Sequence, residues 1–287
     1  MKKKLLEKLF VITSTMLIIL SLCTIPTIKD RNILRTNFEL DDITSIKTDS
    51  IYLLNKDNLL VKVDIINEGN THDKIKNIVK YLTINNEELP KGLYGYLADN
   101  TQVLDISINK GLLNINLNSF KENTINITGL VYSLLELDGI DKVKIMINGQ
   151  GLKNYDILDK SIGINNEYLF YNRKEINKVV IYYLDNIYEN KYFIPVTKYL
   201  NDTREKIEII IDELKHNKEL ISVVSEKLEL LDYHEEGNVL FLNFNDELAK
   251  VDEEAINEVA YSCFANYDVN MVIFEIANKR LDYRKRE

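Results

Sequence analysis

The sequence predicts an α+β protein made of two tandem small domains, each a mixed β-sheet with two helices packed on one face, after an N-terminal transmembrane helix. Two observations predict this architecture. A series of apolar patterns recurs after about 130 positions, which indicates a duplicated unit. Near the N-terminus, residues 9–28 form a run of twenty positions without a charge, which indicates a membrane span.

The N-terminal run reads LFVITSTMLIILSLCTIPTI. A helix of this length spans about 30 Å, the hydrocarbon thickness of a bilayer. Lysines precede it at positions 2, 3, 4 and 8, and such flanks stay in the cytoplasm. We therefore expect a cytoplasmic N-terminus at residues 1–8, a transmembrane signal anchor at residues 9–28 and a polar stalk at residues 29–47. The bulk of the chain is then extracytoplasmic.

Two alternatives to this uncleaved anchor are open. A lipoprotein would be acylated at Cys23, because Leu20-Ser21-Leu22-Cys23 resembles a lipoprotein box apart from the bulky Leu22. A cleaved signal peptide needs small residues at its cleavage site, but the first alanine of the chain is Ala98. The anchor explains the run without an exception, so we favour it.

Helical periodicity supplies the first pair of repeated elements. Apolar residues at i, i+3, i+4 and i+7 indicate a helix with one buried face. This pattern starts at Ile75 and recurs 132 positions later at Ile207. A second helical pattern starts at Ile127 and recurs at Ile256, and each copy contains a Tyr-Ser pair, Tyr132-Ser133 and Tyr261-Ser262.

Alternating apolar residues predict strands around these helices. Each copy reads strand–strand–helix–strand–strand–helix–strand, which gives a first domain at residues 48–172 and a second at residues 176–281. The predicted strands lie near residues 50–55, 59–65, 101–108, 112–118 and 142–148, and near 178–185, 190–196, 227–233, 238–245 and 270–277. The predicted helices lie near residues 72–83, 124–137, 203–215 and 252–266.

Composition limits the classes of function. Hydrophobic residues make up 45% of the 287 residues and charged residues 28%, a balance typical of a folded globular chain. The formal charge of −9 argues against a nucleic-acid surface, which would need Lys and Arg to neutralise phosphates. A late basic run, Arg280 with Arg284-Lys285-Arg286, is a local exception; such runs are commonly solvated tails, although a lipid- or partner-binding role is open.

No residue pattern predicts catalysis, a metal site or a cofactor. The two cysteines, Cys23 and Cys263, form no CxxC motif, and the three histidines are isolated from one another. Gly149-Gln150-Gly151 follows a strand but reads as a turn, because no βαβ unit surrounds it. His234-Glu235-Glu236 precedes Gly237 and reads as a solvated hairpin end. We interpret Ser133 and Ser262 as residues that pack or make a hydrogen bond from the helix, because no nucleophile motif surrounds them.

Each copy resembles the GerM domain, the sporulation and spore germination domain of endospore-forming bacteria. The opening strands of this pattern are Ile51-Tyr52-Leu53 and Ile181-Tyr182-Tyr183. The middle motif is Asn116-Leu117-Asn118 in one copy and Asn243-Phe244-Asn245 in the other. The closing strand of the first copy, residues 143–149, ends in the Asn-Gly of the family. The second copy departs there, with Ala277-Asn278-Lys279.

The resemblance implies a function for the chain. GerM proteins carry two such domains behind a membrane attachment and are similar to ring-building-motif proteins of the channel that links mother cell and forespore. A non-enzymatic, membrane-anchored scaffold in that intermembrane space is therefore expected, with other sporulation envelope proteins or further copies of the chain as partners. The resemblance implies no catalytic residue, metal or small-molecule cofactor. The alternative is an envelope ligand-binding or regulatory protein that modulates cell-wall enzymes.

Tyrosine usage points to a contact surface. The chain has 17 tyrosines, 9 phenylalanines and no tryptophan, and tyrosine combines a large ring with a hydroxyl that tolerates water. Tyr192 and Phe193 lie on a predicted edge strand, which could recruit another chain by strand addition. We therefore predict an interface at these two residues. The ligand-binding alternative instead requires a pocket with converging polar groups, expected between the two domains.

Overall fold

The computed structural model describes residues 48–86, 88–170, 176–217 and 220–286. Residues 47–287 form one compact unit. Within the described ranges no helix is both long and apolar enough to cross a membrane. The predicted cytoplasmic segment, transmembrane anchor and stalk, and the candidate lipidation residue Cys23, lie outside these ranges.

The first repeat (described residues 48–170) begins with a hairpin and continues with two strand–helix segments. Asparagine side chains start both helices, since Asn70 accepts a hydrogen bond from the Asp73 amide and Asn123 accepts one from the Asn126 amide. The elements are β1 (Thr48–Leu54), β2 (Leu60–Ile66), α1 (Thr71–Tyr81), β3 (Val103–Asn109), β4 (Leu112–Leu117), α2 (Thr124–Leu135), β5 (Lys142–Ile147) and β6 (Gln150–Gly151).

The second repeat (described residues 176–286) follows the same order with a longer hairpin and a longer final strand. Helix α3 starts with a capping box between Glu205 and Glu208. The elements are β7 (Asn177–Ile187), β8 (Asn190–Leu200), α3 (Lys206–His216), β9 (Leu230–Glu236), β10 (Val239–Phe244), α4 (Glu253–Asn266), β11 (Met271–Ile276) and β12 (Lys279–Lys285).

Each repeat contains a four-stranded mixed sheet. The strand order is β3-β4-β5-β6 in the first repeat and β12-β11-β10-β9 in the second. The central pairs, β4 with β5 and β10 with β11, are parallel, and the flanking pairs are antiparallel. Each helix α2 and α4 is the crossover that joins its parallel pair, as such pairs require.

The buried faces of sheet and helices form two hydrophobic cores, one centred in each repeat, and the first core also includes Val180 and Ile194 of the second repeat. Ile75 and its sequence counterpart Ile207 are both fully buried, each in the core of its own repeat. Alternate residues of β4 and β10 are buried in the same way. The residues after β6 complete the first core, with Leu158 and Ile164 among its members. The predicted duplication of a mixed sheet with helices is therefore confirmed.

The structure differs from the prediction in two places. The opening hairpins, β1–β2 and β7–β8, form separate two-stranded sheets instead of joining the mixed sheets. The basic segment that resembles a solvated tail contains strand β12, which extends to Lys285, past the expected domain end at residue 281. β12 lies at a sheet edge, so it lacks the alternation of a half-buried strand that a sequence reading relies on.

Candidate functional site

A serine on the last helix of each repeat holds the opening strand. The Tyr52 amide donates a hydrogen bond of 2.9 Å to Ser133 Oγ, whose hydroxyl donates to the Gly129 carbonyl at 2.7 Å. The Tyr182 amide donates likewise to Ser262 Oγ at 2.9 Å. The interpretation of the Tyr-Ser repeat as a helix-side hydrogen bond is confirmed. These serines are buried structural residues.

The Asn-x-Asn motif is also structural. The second asparagine of each motif holds the entry to the preceding strand. Asn118 accepts from the Gln102 amide and donates to the Asn100 carbonyl, both at 2.8 Å. In the second repeat, Asn245 accepts from the Glu229 amide at 3.3 Å and donates to the Lys227 carbonyl at 2.9 Å.

The first asparagine of the motif holds the turn after the closing strand. Asn116 Oδ1 accepts from the Gly149 amide at 2.9 Å, and Asn243 Oδ1 accepts from the Asn278 amide at 3.2 Å. In both repeats a two-residue turn with positive φ connects the final hairpin. The turn of the second repeat therefore keeps the geometry of the first, although Ala277-Asn278 replaces Asn148-Gly149.

A cavity of about 870 Å³ lies beside α1, but its walls come from the first repeat alone. A second cavity, of about 520 Å³, receives side chains from both repeats and is named the inter-repeat cavity here. Its volume falls in the range of small-molecule sites. Its aromatic lining residues are Tyr52, Tyr132, Tyr182, Tyr192, Phe193, Tyr261 and Phe264.

The aromatic walls of the inter-repeat cavity come from equivalent positions of the two repeats. Tyr52 and Tyr132 stand edge to face with ring centroids 5.4 Å apart, and their counterparts Tyr182 and Tyr261 are 5.9 Å apart. Burial raises the pKa of Tyr52, and the neighbouring Tyr182 raises it further. The two tyrosine pairs therefore meet where the repeats join.

A carboxylate with two lysines forms one charged cluster of the inter-repeat cavity, which Asp64, Lys191, Lys285 and Arg286 also line. Glu136 lies 3.0 Å from Lys62 Nζ and 3.0 Å from Lys160 Nζ, and its side chain is 16% exposed. Burial alone would raise the pKa of Glu136, but the two ammonium groups outweigh burial and hold it below its usual value. Burial likewise tends to lower the pKa of Lys62, and Glu136 reverses that effect.

Sequence reasoning missed Glu136, Lys62 and Lys160. A signal was present for Glu136, which interrupts the apolar run Leu134-Leu135-Glu136-Leu137 at the end of a predicted helix. Four residues after Tyr132, it lies on the same helical face as that ring. The two lysines come from a strand and a loop, and no spacing in the sequence relates them to Glu136.

The predicted interface residues Tyr192 and Phe193 lie on β8 and line the inter-repeat cavity. Both are half-buried, and Phe193 packs edge to face on Tyr261 with centroids 5.0 Å apart. Further along β8, the chain's own linker covers the open strand edge, because the Thr197 amide donates to the Ile164 carbonyl at 2.8 Å. Any contact through Tyr192 and Phe193 would therefore use side chains in the cavity more readily than strand addition at that point.

The other sequence candidates stay apart from this cavity. Gly149 lies in a turn, and His234-Glu235-Glu236 lies on the exposed strand β9. Cys263 is buried, and burial raises its pKa. Among the described residues, no group of three or more His, Cys, Asp or Glu side chains could hold a metal ion.

Three comparisons relate the chain to known proteins. The family described as "Germane: Sporulation and spore germination" matches residues 50–153. The spore germination protein GerM of Bacillus subtilis (strain 168) is 27% identical over 273 residues, which cover 83% of this chain and 74% of that protein. The solved tandem GerMN domains of GerM from Bacillus subtilis match with a TM-score of 0.73 and 24% identity, over 81% of this chain and 92% of that one.

These similarities agree with the duplication seen in the fold. The family match covers the first repeat, and the structural match covers both. The relationship to GerM supports a sporulation-related role, and these relatives are sporulation proteins not known as enzymes. Together the comparisons support a GerM-family protein with two tandem domains.

Proposed function

We propose that the protein is a non-enzymatic, membrane-anchored scaffold of sporulation or spore germination, held outside the cytoplasm. It works there in a ring or channel complex between mother cell and forespore. The proposal rests on the structural role of the family motifs within each repeat. The Tyr-Ser and Asn-x-Asn residues hold strands and turns inside each repeat. Motifs of this kind build a framework, and they leave surfaces for partners.

The N-terminal run supports the proposed location. Its twenty uncharged residues and preceding lysines are typical of a signal anchor. Protease added to intact protoplasts of sporulating cells, before the mother cell has enclosed the forespore, tests this location. We expect digestion of the folded unit while the membrane stays sealed. Protection of the folded unit, in cells where an extracytoplasmic control protein is digested, would contradict the proposal.

Deletion of the gene tests the proposed role. We expect fewer heat-resistant spores or slower germination, restored by the full chain. A second complementing variant lacks residues 9–28 but is expressed at the same level. We expect this variant not to restore spore yield or germination. Normal spore yield and normal germination in the deletion strain would rule out the role.

The inter-repeat cavity favours a second candidate, an envelope ligand-binding protein. The cavity combines ring faces such as Tyr182 and Tyr261 with the charged group Glu136, and such combinations bind polar ligands that have an apolar face. Titration calorimetry with soluble fragments of the cell's own wall tests this candidate. We expect Tyr261→Ala to weaken binding at least about tenfold. The absence of a heat signal with wild-type protein would reject it.

A further inference from the structure

The two outer strands of the sheet in the second repeat carry opposite charges. β12 lies at one edge and β9 at the other. Lys279, Arg280 and Lys285 are exposed on β12, and within the described part of the chain none of them forms an ion pair. Asp232, Glu235 and Glu236 are exposed on β9 and are likewise without an ion pair among the described residues.

Both edges also present apolar side chains. Part of their backbone has local side-chain partners: the Tyr283 amide donates to Asp282 and its carbonyl accepts from Arg284, and the Tyr233 amide donates to Asp232. Leu281 is 50% exposed and Tyr283 41% exposed on β12, while Leu231 is 59% exposed on β9. The edge strand of a sheet offers a row of free amide and carbonyl groups to another strand. Charged residues that only block aggregation of an edge strand can be of either sign, so the two edges of one sheet need not differ in charge. Here one edge is basic and the other acidic, on a chain whose net charge is −9.

We propose that β12 of one molecule pairs with β9 of a second copy of this chain. A copy that continues the sheet in the same orientation pairs in parallel, because β10 and β11 are parallel and each outer strand is antiparallel to its neighbour. Side-chain alternation then sets Tyr283 beside His234 and Lys285 beside Glu236 on the outer face of the joined sheets. In this register Glu235 also lies beside Arg284, and Asp232 lies beside Leu281.

The charge pattern also decides the symmetry of the assembly. A two-fold contact would join β9 to β9 or β12 to β12, so like charges would face each other and repel. Pairing of unlike edges is heterologous and leaves a free edge at each end. Repetition of such a contact gives a ring or a filament.

The first repeat does not present the same pair of edges. Its final strand β6 has only two residues, and further along the edge Leu158 pairs with Val143 through two backbone hydrogen bonds. The chain itself therefore covers that edge. Ser107 occupies the position in β3 that His234 occupies in β9, 127 residues later, and supplies a matched control.

Cysteine crosslinking of the full chain in detergent tests the pairing. All variants carry Cys23→Ser, and Cys263 is buried and does not react. We expect a short bismaleimide to join His234→Cys molecules to Tyr283→Cys molecules in a mixture, and neither variant to itself. Ser107→Cys mixed with Tyr283→Cys should give no dimer. Screening by concentrated salt should lower the yield several-fold, about as expected for exposed charges.

Charge reversal completes the test. Glu236→Lys added to the His234→Cys molecule should cut the dimer yield at least about fivefold, and Lys285→Glu on the partner should restore it. Dimers of a single cysteine variant would overturn the proposal. So would the absence of dimers in the mixture, or a yield indifferent to charge reversal, when circular dichroism shows folded variants. The proposal does not rest on the role in sporulation, so its failure would leave the spore phenotypes informative.

Discussion

Glu136 is a carboxylate that the fold holds nearly out of solvent at the junction of the two repeats. Its stability contribution depends on Lys62 and Lys160, because a buried charge without partners is costly. The pKa of Glu136 is lower in the folded protein than its ordinary value of 4.5. The contribution is therefore present above that pH and is lost as the pH falls through the folded pKa.

Replacement of this carboxylate tests the argument. We expect Glu136→Gln to lower the free energy of unfolding by about 1–2 kcal/mol at neutral pH. The difference from wild type should shrink as the pH is lowered below 4.5. Urea unfolding over a pH series measures it. Glu68→Gln, at an exposed position, is the control and should change little; an equal effect of both variants would contradict the argument.

Glu258 is a buried carboxylate of the second repeat with the opposite pH dependence. Burial raises its pKa, although several hydrogen bonds oppose that effect. It accepts from the Leu184 amide at 2.8 Å, from the Ser222 hydroxyl at 2.9 Å and from the Val223 amide at 3.1 Å. With a folded pKa above its unfolded value, Glu258 stabilises the fold at low pH, and this contribution is lost as the pH rises through the folded pKa.

Removal of the Glu258 carboxylate leaves three donors without their acceptor. We expect Glu258→Ala to lower the free energy of unfolding by about 2–4 kcal/mol. Amide hydrogen exchange should rise first at Leu184 and Val223. The control Glu253→Ala, at the exposed first residue of α4, should cost less than about 1 kcal/mol. Unchanged exchange at both amides would show that other groups satisfy them.

At the scale of elements, the final turn of the second repeat is strained where that of the first is not. Ala277 has φ +49°, a left-handed conformation that costs alanine about 1–2 kcal/mol. Its counterpart Asn148 tolerates that conformation. We expect Ala277→Gly to raise the free energy of unfolding by about 0.5–1 kcal/mol in urea.

The first repeat provides the reverse experiment for this turn. Gly149 has φ +81°, and a methyl group there would meet no other atom within 4 Å. Gly149→Ala therefore tests the backbone alone, and it should destabilise by about 1 kcal/mol. A neutral result for both variants would mean that the turns relax without cost.

The sequence predicts elements where one face is buried. The helices at Ile75 and Ile207 and the strands β4 and β10 show their periods clearly, because alternate positions face a core. β12 is not predictable in this way, since most of its residues are exposed and its shape depends on pairing with β11. The opening strands are held to the last helices by side-chain hydrogen bonds, among them those to Ser133 and Ser262, which no periodicity reveals.

At the scale of the whole molecule, the inter-repeat cavity depends on how one repeat packs on the other. No residue pattern in the sequence predicts a pocket between the domains. The pocket is only what the ligand-binding alternative would require. It does not indicate that Tyr52 and Tyr182 meet there, because their separation of 130 positions is also the repeat distance and predicts equivalence rather than contact. The contact comes from the packing of β2 against β8, which brings the opening hairpins together.

Asn165 is the linker residue that joins these hairpins. Its side chain accepts from the Leu60 amide at 2.7 Å and donates to the carbonyls of Leu60 at 2.7 Å and Pro195 at 2.8 Å. One side chain thus connects β2 of the first repeat with β8 of the second. Asn165 has φ +50°, so glycine is the replacement that removes these bonds without straining the backbone.

We expect Asn165→Gly to uncouple the two repeats. Three lost hydrogen bonds should cost about 2–3 kcal/mol. Two of them hold β2 within the first repeat, and the bond to the Pro195 carbonyl crosses to β8 of the second. In scanning calorimetry the wild type should unfold in one transition, and Asn165→Gly should separate it into two. Asn166→Gly, next in the chain, loses a bond from its side chain to the Thr197 carbonyl at 2.9 Å but none that joins β2 to β8. Asn166→Gly should therefore keep a single transition. Two transitions in the wild-type protein would show that Asn165 does not couple the repeats.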